Sequence, residues 1–123
     1  MEMTITLPGG DRVDAQFEKL SVTTNQDGTA PSPFHLFLMS IGTCAGFYVN
    51  SFCRQRRIPT DGIRLRQRNI VDEATHLVSK IEIDVELPPD FPQAYRDAAI
   101  RAARSCTVKK HLERPPAIEV KAV

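Results

Sequence analysis

LFLMSIGTCAGFYVNSFC, Leu36 to Cys53, is a run of eighteen consecutive residues without a formal charge, and its reading decides the fold. Length alone admits a membrane span. Ser40, Thr43, Asn50 and Ser51 make the run too polar for a lipid-facing helix, so the reading adopted is a helix enclosed by protein on nearly all sides. Ser32 supplies an N-cap and Pro33 fits the first turn. Arg54, Arg56 and Arg57 put positive charge where a helix C-terminus favours it, and Pro59 closes the segment. A chain of 123 residues amounts to a single domain, 1–123, with little surface to wrap around such a helix. Two copies sharing one core resolve that difficulty.

On the N-terminal side, Met3 to Leu7 is strand-like, and Pro8, Gly9, Gly10 and Asp11 supply a tight reversal. Val13, Ala15 and Phe17 alternate with Asp14, Gln16 and Glu18 as a second strand, which Leu20 and Val22 extend after a bend. Residues 23 to 33, TTNQDGTAPSP, form a loop. On the C-terminal side, Ile63 to Val71 and Leu77 to Leu87 read as strands joined at Asp72 and Glu73. Ile81, Ile83, Val85 and Leu87 line one face there, and Lys80, Glu82, Asp84 and Glu86 the wet one. Tyr95, Ala98, Ala99, Ala102 and Ala103 form the apolar stripe of a second helix, ending near Ser105 to Thr107. A short VKKHL stretch then leads to Pro115, Pro116 and a last strand, 117 to 123.

Composition narrows the function. Hydrophobic residues at 41% and charged residues at 25% are ordinary for a folded soluble chain, and the net charge of +1 provides no field for nucleic acid or an anionic membrane. Arg64, Arg66 and Arg68, like the cluster at Arg54, Arg56 and Arg57, read as charge-balanced surface without interleaved aromatics. Three cysteines are too few for a disulfide scaffold, and the N-terminus MEMTITLPGG has neither a basic start nor an apolar run. A cytoplasmic location with reduced thiols is expected, with no nucleic-acid and no membrane partner.

Cys44 sits midway along the uncharged helix, where Gly42, Ala45 and Gly46 leave room around a thiol. Cys53, nine residues later, points to roughly the opposite side at ~100° per residue. Cys106 follows the alanine-rich helix. Taken alone, each cysteine reads first as a small buried hydrophobe. His35, His76 and His111 raise the question of zinc, but no pair has CxxC or HExxH spacing, so no metal is assigned.

APSPFHLFLMSIGTCAGFYV at 30 to 49 and RAARSCTVKKHL at 101 to 112 resemble the two cysteine motifs of the osmotically inducible protein C and organic hydroperoxide resistance (OsmC/Ohr) superfamily, in the family's order. The resemblance implies an α+β fold, an intertwined homodimer with long central helices enclosed by antiparallel sheets. It also implies thiol-dependent reduction of organic hydroperoxides, with Cys44 attacking and Cys106 resolving, no bound cofactor, and an external dithiol of lipoyl type or on a lipoylated protein as reductant. Phe34, Leu38, Phe47 and Tyr48 are the candidate lining of an apolar substrate pocket. One departure stands out. The family carries a glutamate ten residues before its reactive cysteine and an arginine in an earlier loop, whereas Phe34 occupies the glutamate position here and no arginine lies between Lys19 and Arg54. A buried thiol without a stabilising group is a poor nucleophile. His35, Arg12, an arginine of a second chain or a helix N-terminus are the candidates to activate Cys44. Without one, the alternative is a small-ligand-binding protein of the same fold that performs no turnover.

Overall fold

Gly10 adopts a left-handed φ of 59°, which a residue without a Cβ tolerates easily, and the chain reverses there between β1 (Thr4–Gly9) and β2 (Arg12–Phe17). The expected hairpin is present. Leu20 and Val22, however, do not prolong β2. A second reversal at Glu18, with φ 52°, makes them part of a separate strand, β3 (Leu20–Thr24), antiparallel to β2. Nothing in Glu18-Lys19 announces a turn, because neither residue is glycine, proline or asparagine. Phe17 pairs with Leu20 and Ala15 with Val22, so the apolar alternation carries through the turn and hides it.

The computed structural model describes residues 1–123, which form two compact units, Met1–Met39 and Ser40–Val123. In the first, the strands make a sheet in the order β1-β2-β3. The Thr24 hydroxyl donates to the Val13 carbonyl at 2.7 Å, which satisfies the one buried polar side chain of this unit.

The uncharged run is helical as expected, within α1 (Pro33–Gln55). Ser32 caps it, its Oγ accepting the His35 N–H at 3.1 Å. Enclosure on nearly all sides is not what a single chain provides. Leu38, Ile41, Ala45, Val49 and Cys53 form one buried stripe, while Phe34, Phe37, Met39 and Phe47 are exposed. A chain of this size covers only one side of a helix this long. Hydropathy alone, 1.4 over eighteen residues, would let α1 cross a membrane, but its buried stripe is continuous with a core of Val49, Cys53, Ile58, Phe91 and Ala99.

The end of α1 is closed before Pro59 is reached. Arg57 takes a left-handed φ of 54°, the Ile58 N–H returns to the Cys53 carbonyl at 2.9 Å, and the Arg57 N–H to that of Arg54 at 3.2 Å. This is the Schellman pairing, and its usual hydrophobic contact is supplied by Cys53 and Ile58 within the core. Arg56 folds back instead, its guanidinium 3.8 Å from the centre of the Phe52 ring.

In the second unit, β4 (Arg64–Val71) and β5 (Val78–Glu86) form an antiparallel pair, joined by a turn in which the Asp72 carboxylate accepts the N–H groups of Ala74 and Thr75 at 2.9 Å each. Two of the three arginines expected as charge-balanced surface are paired there: Arg66 meets Glu86 at 3.0 Å, and Arg68 meets Glu82 at 3.1 Å and Asp84 at 2.6 Å. Gly42 and Gly46 face this sheet: a Cβ on Gly42 would meet the end of the flexible Gln67 side chain, which would have to move, and one on Gly46 would reach Leu65 at ordinary contact distance.

The alanine stripe builds a 3₁₀ turn, Gln93–Tyr95, and α2 (Arg96–Ala103), with Ala99 completely buried. Two expectations fail beyond it. The VKKHL stretch is not a connector but part of a third helix, α3 (Thr107–Glu113), and residues 117 to 123 form no strand. A strand exists only by pairing, and β4 and β5 pair only with each other.

Because Arg57 holds a conformation that favours glycine, Arg57→Gly is expected to raise unfolding stability by about 0.5–1 kcal/mol in urea titrations. A loss of stability would show that the arginine side chain matters more than the backbone strain.

Candidate functional site

Ile41, Cys44, Ala45 and Tyr48 follow one another at i, i+3, i+4 and i+7 along α1 and therefore share one face of it. The start of α3 lies against that face. Cys106 is the N-cap of α3, its sulfur accepting the Lys109 N–H at 3.4 Å, and the same sulfur is 3.8 Å from the Ile41 carbonyl. Two turns further along α1, the Tyr48 hydroxyl is 2.7 Å from Oγ1 of Thr107, the residue next to Cys106. Cys44 lies between these two attachments. The backbone amides of Val108 and Thr107 and the side chain of Cys106 are close enough to act on its sulfur.

These contacts set the acidity of the two thiols in opposite directions. Burial pushes Cys44 up, but the Val108 amide, the Cys106 thiol and the Thr107 amide together outweigh it, and the thiol is held below its ordinary range. Cys106 is pushed up, first by burial and further by the neighbouring Cys44 sulfur, against the opposing amides of Lys109 and Val108. Its single proton has two acceptors in reach, the Ile41 carbonyl and Cys44. The two thiols are thus pushed apart in acidity, Cys44 the readier to ionise and Cys106 the readier to keep its proton, in the direction that nucleophile and acid roles require. Cys44 is partly exposed and can be reached by a small molecule, whereas Cys106 is buried.

Cys53 has a different character. It is fully buried, and burial raises its pKa with only a partial offset from Arg56, so it behaves as an inert core residue.

The remaining candidates are distributed as follows. Phe47 is exposed, edge-on to the Tyr48 ring at 5.4 Å between centroids, and borders an open groove with Asn50, Ser51, Arg54 and Gln55. Phe34, His35, Leu38 and Arg12 belong to the first unit. Phe34 stacks on Phe37 at 5.9 Å, Leu38 is buried, and His35 is exposed beside the helix cap. The Arg12 guanidinium is committed to Asp14 through contacts of 2.9 and 2.8 Å.

A helix N-terminus is among the activators expected from sequence, but not that it is the start of α3, with the amides of Thr107 and Val108; Tyr48 is expected as pocket lining, not for its hydroxyl. Backbone donors leave no trace in residue identity. The available signal was Val108 and Leu112 at i, i+4 after Cys106, which marks a new helix beginning at the second cysteine.

Comparison with known proteins follows the same lines. Residues 24–121 match the model of the family described as OsmC-like protein. No curated protein matches the chain. Among solved structures, a hypothetical protein from Aquifex aeolicus VF5 is similar at 19% identity and a TM-score of 0.74, over 93% of this chain and 87% of that one. A Psychrobacter arcticus 273-4 protein, provisionally described as an osmotic stress induced and detoxification response protein, aligns at 19% identity and a TM-score of 0.72, over 88% and 85%. An OsmC like protein from Mycoplasma pneumoniae aligns at 12% and 0.66, over 91% and 86%. At such identities these likenesses speak for the fold alone. The α+β architecture with antiparallel sheets is theirs too, and the family model spans both cysteine motifs: the chain belongs to the family of OsmC-like proteins.

Proposed function

We propose that the chain reduces organic hydroperoxides with its own thiols, Cys44 attacking and Cys106 resolving, and that an external dithiol of lipoyl type, free or on a lipoylated protein, returns both to the reduced state. The observation that carries this reading is the contact between a partly exposed Cys44, the readier of the two to ionise, and a buried Cys106, the readier to keep its proton. In the first step the Cys44 thiolate attacks one oxygen of ROOH. The O–O bond breaks, RO⁻ leaves and takes up a proton to become ROH, and Cys44 becomes a sulfenic acid. In the second, the Cys106 sulfur attacks that of Cys44, its proton leaves with the hydroxyl as water, and a disulfide forms. Two thiol exchanges with the dithiol then restore both cysteines and leave the reductant as a disulfide.

Backbone amides take over the part that a charged side chain plays in the family pattern, and they are independent of residue identity. Phe34 stands at the acid's position, and within the second unit the exposed Phe47 beside Tyr48 offers an apolar surface that suits an organic tail better than hydrogen peroxide. The exposed Phe34, Phe37, Met39 and Phe47 on α1 suit a second copy of the chain, so the working unit in this reading is a homodimer, in a cytoplasm that keeps thiols reduced. No metal, nucleic acid or membrane has a part in it.

A second reading is favoured by one observation, the exposed Phe34 in place of an acid: an apolar ligand is bound without turnover. Two measurements separate the readings. With cumene hydroperoxide and a dithiol, steady peroxide consumption is expected and is abolished in Cys44→Ser. In Cys106→Ser the first oxidation is retained and a sulfenic acid accumulates on Cys44, visible by mass spectrometry after trapping. Peroxide loss that survives Cys44→Ser, or no loss in the native chain, removes the enzyme reading.

The second measurement is the pH dependence of Cys44 alkylation. The thiolate is the reactive form, so a lowered pKa places the midpoint of the rate below the free-thiol value of ~8.5 and leaves more thiolate at neutral pH. A midpoint above that value would leave the binding reading alone.

A further inference from the structure

The start of α3 is held to α1 at two places that flank Cys44, and the two differ chemically. On one side stands Cys106, through its sulfur and the Ile41 carbonyl at 3.8 Å; on the other stands Tyr48, whose hydroxyl is 2.7 Å from Thr107 Oγ1. α3 has only seven residues, too few to be a stable helix by itself, so its position depends on such attachments. The Cys106 attachment cannot serve throughout a reaction in which that sulfur is consumed: once it bonds to Cys44, its thiol proton is gone and it can no longer donate to Ile41. The Tyr48–Thr107 contact contains no sulfur and is untouched by the change.

We propose that Tyr48 is a positioning residue of the thiol site, its hydroxyl pinning Thr107, the first residue of α3, to α1 so that the Thr107 and Val108 amides stay on the Cys44 sulfur. This rests on the reading of Cys44 as nucleophile and adds a role that an apolar pocket wall does not have. The geometry is specific. Tyr48 lies one turn after Cys44 on the same face of α1, and Thr107 provides both the hydroxyl that Tyr48 holds and one of the two amides that Cys44 receives. Displacing Thr107 therefore moves a donor away from the sulfur directly. Cys106 is the titratable group facing Cys44, and it is left in place by every change below.

The test is the pH profile of Cys44 alkylation by iodoacetamide, followed by mass spectrometry of the peptide that carries Cys44, in the native chain, Tyr48→Phe, Thr107→Val and Thr107→Ser. Tyr48→Phe keeps the ring and removes only the hydroxyl. It is expected to raise the midpoint by about half a pH unit, cutting the thiolate present at pH 7 about threefold, while the rate at pH well above the midpoint stays unchanged. Thr107→Val, an exposed substitution that conserves shape, should reproduce the shift, and Thr107→Ser, which keeps the hydroxyl, should restore the native midpoint. An unchanged midpoint in Tyr48→Phe or Thr107→Val overturns the assignment, as does a rate lowered equally at every pH, which is the mark of a pocket wall. If Tyr48→Phe does not fold, Thr107→Val against Thr107→Ser decides alone. Alkylation needs no hydroperoxide, so a native chain that consumes none would refute the peroxidase reading and leave this outcome to be read independently.

Discussion

The placing of two backbone N–H groups on the Cys44 sulfur is the interaction on which the site depends. It requires α3 to begin at Thr107, Cys106 to cap that helix, and the capping sulfur to lie against the stripe of α1 that carries Cys44. Those conditions come in turn from packing: a long helix with one buried stripe, and a fully buried Ala99 in the core that this stripe joins. A burial that by itself would suppress the thiolate is offset by these donors, and the thiol ionises more readily than an ordinary cysteine.

Much of this was legible in the chain. The uncharged run, its Ser32 cap, the alternation from Lys80 to Leu87 and the alanine stripe each have one dominant physical reading, and each became the expected element. The failures share a cause. β3 was hidden because the Glu18-Lys19 turn carries no turn residue and the alternation continues through it. α3 was hidden because seven residues give a helical period hardly two turns in which to show. The tail at 117 to 123 was read as a strand from its composition, although pairing rather than composition decides. At the site, Cys44 and Cys106 could be picked out as side chains, but the groups that activate Cys44 are amides, which every residue other than proline possesses. Only the fold says which of them point at sulfur.

This difference bears on how the missing acid and arginine are understood. In the family pattern a charged pair helps to activate the thiol. Here the polar groups that act on Cys44 are the Val108 and Thr107 amides and the Cys106 thiol, none of which carries a full charge. Fixed dipoles in a partly buried place lose little to reorganisation, and they leave Phe34 free to be apolar. Cys53, the odd cysteine of the three, is accounted for by the Schellman closure and the core around it.

The central claim is that two of the three thiols act as one redox unit. Its most direct test adds one equivalent of an organic hydroperoxide to the fully reduced native chain in the absence of reductant, counts free thiols after denaturation, and maps the products by mass. A single thiol per chain, Cys53, should remain, with Cys44 joined to Cys106 and the hydroperoxide converted to its alcohol. Three free thiols beside unconsumed hydroperoxide, or a disulfide that includes Cys53, would contradict it.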